Sequence, residues 1–338
     1  MTARVDLSVR HVVRGGSHRG APRIPAAEVV QRALSEDDAQ SWATLSGLEP
    51  VDERDALLTL LCLHELWMAP LSLTRGRERH QSHPSVVDVK RRFEAYFLDR
   101  VARDTSAAPP VTTSDESVAA MRRIAAADLV PAVYDWLSRE ATWEQLVTFL
   151  AFEGGPDAGF DDLIALAQVG ITGTPKVTLA ANYWDEMGRG SPDQVHTELH
   201  HGLVRATGMP RIPPSAMPSC ALARVALGGV LATNRWLQPE LIGALGLLEV
   251  QAGPRCRAVL KAFDRLDAPA QARPFYEEHA TADPRHGKEW LEHVVAPLAQ
   301  DPEWARRMVQ GARWRHAANH RFFTEIRSVV LAHHSVTD

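Results

Sequence analysis

Apolar residues in this chain recur at three- and four-residue intervals in run after run, and nowhere do they alternate with polar ones for long enough to make a strand. The first strong run spans residues 52–68, where Leu57, Leu58, Leu60, Leu61 and Leu63 keep helical spacing; a second spans 84–103. A Pro/Ser/Thr connector follows at residues 106–115, in which Thr113 or Ser114 can cap the next helix with Glu116 in its first turn. Beyond it, helical runs return with short breaks at 116–126, 129–139, 143–153, 161–168, 176–187, 193–207, 221–237, 239–263, 271–298 and 302–333. There is no fixed-period repeat. The pattern predicts an all-α bundle, with an irregular N-terminal arm over residues 1–40 that ends in an amphipathic piece, a helical extension over 41–110 and a main domain over 111–338.

Composition narrows the partners. The 338 residues are 45% hydrophobic and 23% charged, with a formal net charge of −5, which suits a globular enzyme-sized chain with a real core. No basic block exceeds Arg91-Arg92 or Arg122-Arg123 with their neighbours, so neither nucleic acid nor a membrane surface is expected, and a small molecule is. Cys62, Cys220 and Cys256 are too few and too dispersed for a disulfide framework or a cysteine zinc site. Residues 1–24 lack an apolar signal core and no stretch of about 18 apolar residues occurs, so a cytoplasmic protein is expected.

The densest chemistry lies between Phe275 and Gly287. Here His279, Asp283 and His286 fall at i, i+4 and i+7, one face of a helix, and aim three metal-competent groups at one place. Mixed imidazole and carboxylate donors suit iron or manganese better than calcium. Pro284 would remove a hydrogen bond from that helix at a cost of about 3 kcal/mol, a kink a bound metal can hold. A solvated polar stripe is the alternative.

Upstream, Glu186 and His196 are separated by a break containing Gly188, Gly190 and Pro192, which lets the end of one helix and the next helical stretch converge. Taken singly, each also reads as a surface residue. Glu153, after the apolar run from Leu146 to Phe152, and Glu249, after Leu245-Gly-Leu-Leu248, are acids embedded in apolar helix. A buried carboxylate needs a cation, either a metal or an arginine such as Arg255 or Arg257.

Taken in order, Glu153, Glu186-x9-His196, Glu249 and His279-x3-Asp283-x2-His286 resemble the ligand pattern of the haem-oxygenase-like diiron oxidases, generally described as iron-containing redox enzymes. The resemblance covers roughly residues 115–300, and the segment from His64 to Tyr96 is similar to the N-terminal helical extension of longer members. It implies a haem-oxygenase-like helical bundle in which Glu153, Glu186 and His196 hold one iron, while His279, Asp283 and His286 hold or share the second. Glu249 resembles an additional carboxylate that some members use and others lack.

The same resemblance implies two Fe(II) ions before O2 arrives, O2 as co-substrate, and an external reductant from an unidentified electron donor. Relatives oxygenate nitrogen in amines or guanidines, or break C–C and C–H bonds of amino or fatty acids. The N-terminal extension points to the first group, an N-oxygenase of an amino-acid-derived amine in natural product biosynthesis. Around the site, Tyr183 and Arg189 are candidates for substrate binding, Arg189 through a substrate carboxylate, with Asn182 and Trp184 beside them. Glu198, His200 and His201 could support the ligands from behind or simply form an exposed polar face.

Competing readings are a metal-free binding protein of the same fold, a haem protein with an axial ligand such as His64, and iron storage, which lacks the paired Glu-x-x-His motifs of ferritin-like bundles. A homodimer is expected, symmetric dimers being the commonest soluble assemblies.

Overall fold

The computed structural model describes residues 24–105, 111–154 and 159–335, which are predominantly helical, with no strand among them. Most of the expected N-terminal arm (1–23) and residues 106–110 of the connector lie outside the described residues. In chain order the helices are α1 (Ala26–Glu36), α2 (Ala39–Ala43), α3 (Glu53–Met68), α4 (Leu71–Thr74), α5 (Pro84–Asp104), α6 (Ser114–Ala127), α7 (Ala132–Arg139) and α8 (Trp143–Glu153). Then come α9 (Phe160–Ala167), α10 (Gly173–Glu186), α11 (His196–Thr207), α12 (Ser219–Ala232), α13 (Gln238–Arg265), α14 (Pro274–Glu289), α15 (Ala296–Leu298) and α16 (Pro302–Ser335).

Local chemistry sets the helix ends. Thr113 caps α6 by accepting from the Glu116 amide, while the Glu116 carboxylate accepts from the Thr113 amide in return, a reciprocal pair worth about 1 kcal/mol. The run expected at 221–237 stops at Ala232, because Asn234 turns its amide back onto the Val230 carbonyl and the Glu94 carboxylate. The run at 271–298 changes pitch, winding as a π-helix over Trp290–Val295. That extra residue in the turn accompanies an inward Trp290, whose indole N–H donates to the Ile242 carbonyl at 3.1 Å.

α13 is the axis of the bundle. Its N-terminal half is apolar around the whole circumference, with Leu241, Ile242, Ala244, Leu245 and Leu247 all buried, so that half cannot lie on a surface. It packs between α14 and α16, with α7 and α6 alongside. Burying each such Leu or Ile contributes roughly 1.5–3 kcal/mol, and the same placement carries Glu249 into the core. α8 is likewise buried from Leu146 to Phe152.

The extension docks on this bundle. α3 packs against α12, α5 and α1, and Asp55 anchors α1 by accepting from the amides of Ala26 and Ala27 at 2.9 and 3.1 Å. Between α3, α5 and α12 a buried Glu94 accepts from Lys90 at 2.7 Å and Asn234 at 2.8 Å, with His64 Nε2 at 3.1 Å. His64 is thus the neighbour of a carboxylate, with its ring against Gly229, and not an open axial ligand.

Candidate metal centre

Five helices deliver the donors. The apolar run of α8 ends on Glu153, and α10 ends on Glu186. The chain then reverses through Gly188, Arg189 and Gly190, all at positive φ. At Gly188 a Cβ would lie 2.5 Å from the Gln194 carbonyl carbon and 2.7 Å from the Val195 nitrogen, so glycine is required by both conformation and space. The reversal places His196, the first residue of α11, with Nδ1 2.6 Å from Glu186 Oε2. α13 contributes Glu249. α14 contributes His279, Asp283 and His286, and runs unbroken through Pro284, whose ring rests beside Gly253 of α13.

The donors form two groups joined by one carboxylate, all of them buried except the half-buried His279. Donor atoms of Glu186, His196 and His279 lie within 4.8 Å of one another, and so do those of Glu186, Glu249 and His286. Asp283 Oδ1 lies 3.7 Å from His286 Nδ1, at the edge of the second group. This grouping differs from that implied by the resemblance, for His279 sits with His196, and His286 with Glu249, while Glu186 belongs to both. Glu153 lines the same cavity from the side of Tyr134 and Arg224, with Tyr134 Oη 3.4 Å and Arg224 Nη2 4.0 Å from its Oε1.

Hydrogen bonding already orients the imidazoles. His279 Nδ1 donates to the Phe275 carbonyl at 2.6 Å, which leaves Nε2 for the cavity. Nε2 of His196, Nδ1 of His286 and Oδ2 of Asp283 are buried without a hydrogen-bond partner, whereas His196 Nδ1 is matched by Glu186 Oε2. Unpaired buried polar atoms are costly, about 1–3 kcal/mol each, unless something else occupies them.

The electrostatics ask for cations. Burial pushes the Glu249 carboxyl well above the usual range, and the Asp283 charge adds to this. Burial works against protonating His286, yet the neighbouring Asp283, Glu249 and Asp185 carboxylates outweigh it and raise the imidazole to about 9. His196 is raised too, burial being overcome by Glu186. The donor set fits iron: imidazoles with carboxylates, no thiolate, and four acids in Glu153, Glu186, Glu249 and Asp283 to balance two divalent ions.

The remaining sequence candidates divide. His200 is buried and lines the cavity, held down to about 4 by burial and by the charges of His201 and His279. His201 and Glu198 are exposed and pair with each other at 3.2 Å. Asn182 donates to Glu249 Oε1 at 3.0 Å. Tyr183 packs against the core, outside the residues lining the cavity. Arg189 is not brought to the cavity either, because its guanidinium is engaged by Glu278 at 3.0 Å and Asp185 at 3.6 Å. Arg255 and Arg257 donate to backbone carbonyls, of Leu129 and Asp128 and of Ala280 respectively.

Asp185 was missed by sequence reasoning. It touches His286 Nε2 at 2.8 Å across 101 residues, and nothing in the neighbouring sequence distinguishes it from a solvated acid beside Glu186.

No curated protein matches the chain. The profile of the family described as iron-containing redox enzyme matches residues 148–320, a span that contains Glu153, Glu186, His196, Glu249, His279, Asp283 and His286. With an all-α bundle around two buried His/Glu groups and that match over more than half its length, the chain belongs to the haem-oxygenase-like family of iron-containing redox enzymes.

Proposed function

We propose that this protein is a non-haem diiron oxygenase that uses O2 and an external reductant to oxygenate the nitrogen of an amino-acid-derived amine. The observation that carries the diiron reading is Glu186, one buried carboxylate belonging to two separate His/carboxylate groups. His196 and His279 would hold one iron with Glu186; Glu249, His286 and the adjacent Asp283 would hold the other. Glu153, which lines the same cavity, would add a further carboxylate to the charge balance.

Two ferrous ions held by these residues would supply electrons for O2 reduction. The chain does the rest. Glu186 and Glu249 spread compensating negative charge over both positions. Leu248, Val259, Phe275 and Tyr276 wall the cavity with apolar surface and limit water. His200 presents an unpartnered Nε2 at the lining; because it stays neutral, it accepts a hydrogen bond from a substrate N–H without repelling a cation.

Substrate chemistry is read from the lining. Asp161 and Glu153 face the cavity together with Arg224 and Arg255, a mixed-sign environment that complements a zwitterionic amino acid. A second reading has its own support. Through Phe160, His200 and Arg224 the cavity adjoins a larger chamber of about 770 Å³, walled by apolar residues including Leu61, Met68, Leu163, Val204 and Met217. That chamber suits an apolar body and favours oxidative C–C or C–H cleavage of a fatty or amino acid.

The test is anaerobic Fe(II) titration followed by Mössbauer spectroscopy and O2-uptake measurements with amines, amino acids and fatty acids. Two irons per chain, with O2 uptake coupled to an N-oxygenated amine, are expected. Products from acids alone would replace the first reading with the second, and a chain that takes up no iron would return it to a binding role.

A further inference from the structure

His279 and His286 lie on the same face of α14, yet the structure assigns different work to their ring nitrogens. The Nδ1 of His279 is used by a carbonyl of its own helix, Phe275, so its Nε2 is free. In His286 the order is reversed. Its Nε2 lies 2.8 Å from Asp185 Oδ2, while its Nδ1 has no hydrogen-bond partner and faces Glu249 Oε2 at 3.6 Å and Asp283 Oδ1 at 3.7 Å.

Asp185 is held from both sides. Arg285 donates to Oδ2 at 2.5 Å, and Arg189 Nη1 lies 3.6 Å from Oδ1 while also bonding Glu278 of α14 at 3.0 Å. Guanidinium groups only donate, so the carboxylate between them is an acceptor throughout. Arg285 Nη2 also comes within 3.2 Å of His286 Nε2, but the carboxylate oxygen is closer, at 2.8 Å, and Nη2 already donates to that oxygen; two lone pairs at 2.8 Å repel, so Nε2 carries the proton. The lone pair of a neutral His286 is then on Nδ1, toward Glu249 and Asp283.

We propose that Asp185, clamped by Arg285 and Arg189, is a positioning residue that makes His286 a ligand through Nδ1, so that the two histidines of α14 bind metal through opposite nitrogens. The assignment rests on the metal-site reading above. A carboxylate behind a ligating imidazole fixes its tautomer and raises its basicity, and losing such a partner costs about 10–100-fold in metal affinity. The clamp also spans α10 and α14, so it sets the distance between Glu186 at the end of one helix and the donors of the other. Arg189 pays for its left-handed backbone, φ 54°, with these two ion pairs.

The test uses the full chain loaded with Zn(II), a diamagnetic probe, and long-range 1H–15N correlation of labelled histidines, with His286 assigned by its loss in His286→Gln. His286 is expected to carry its proton on Nε2 and metal on Nδ1, and His279 the reverse. Asp185→Ala should weaken one of two metal sites about 10–100-fold and leave the other unchanged, with Asp185→Asn intermediate because its amide oxygen still accepts. Wild-type chain that takes up fewer than two metals overturns the site itself. Two bound metals with His286 protonated on Nδ1, or with unaltered affinity in Asp185→Ala, overturn this inference alone.

Discussion

Substituting Gly287 by alanine tests whether the spacing of α13 and α14 governs the metal centre. A Cβ at position 287 would lie 2.8 Å from Val250 Cα, 2.9 Å from the Glu249 carbonyl oxygen and 3.0 Å from Val250 N. All three are backbone atoms of α13, so no rotamer change relieves the contact. Carbon atoms pack comfortably at about 3.5–4.0 Å, and the helices must therefore separate by roughly 0.5–1 Å. Two effects oppose each other. Alanine favours an interior helical position over glycine by about 1 kcal/mol, whereas overpacking costs about 1–3 kcal/mol. Gly202, in α11 with nothing within 4 Å of its would-be Cβ, receives the first effect without the second. The difference in stability between Gly287→Ala and Gly202→Ala therefore isolates the overpacking and should be about 1–3 kcal/mol in guanidinium unfolding of the metal-free chain. Because Gly287 adjoins His286 and packs on Glu249, the variant should also lose about tenfold in Fe(II) affinity, while Gly202→Ala keeps it. Equal stability of the two variants with equal iron affinity would refute the idea that this helix contact holds the donors in place.

Other perturbations address the grouping and its surroundings. His196→Ala and His279→Ala should remove the same Mössbauer component, whereas Glu249→Gln should remove the other and Glu186→Gln should disturb both; loss of different components in the two histidine variants would restore the grouping implied by the resemblance. The neutral, buried His200 contributes stability that is fully present above the unfolded imidazole value of about 6.5. It is lost as pH falls toward its folded value of about 4, a swing on the order of 3 kcal/mol. His200→Phe should flatten the acid limb of the stability profile between those limits, and an unchanged limb would show that the imidazole is solvated. Binding of Fe(II) should slow amide exchange across residues 275–290, where Pro284 interrupts the hydrogen-bond ladder and the cluster of acids is otherwise unbalanced; unchanged exchange would mean that α14 is fully ordered without metal.

Much of this was legible along the chain because helices are local objects. The period of Leu57 to Leu63 predicts α3, and Thr142 and Glu153 bound α8 as the pattern requires. The apolar run before Glu249 predicts an acid embedded in apolar helix, as found in α13, and the i, i+4, i+7 spacing of His279, Asp283 and His286 predicts one face of α14. Even the approach of His196 to Glu186 was readable, since glycines in the intervening break permit a tight reversal. The pitch change at Trp290 was not, because it answers to a hydrogen bond with Ile242, 48 residues away.

The sequence by itself determined which side chains can bind metal, on which helices they ride, and that Glu153 and Glu249 sit in apolar helix; periodicity and apolar context suffice for each. Only the tertiary structure decided who stands beside whom. Its helix crossings put His279 with His196, gave Glu186 to both groups, placed Asp185 behind His286 and drew Arg189 away from the cavity into ion pairs. Those choices depend on helix spacing and angle to within an ångström or so, set by contacts such as Gly287 against Val250, and no local pattern encodes the distance between two residues a hundred positions apart.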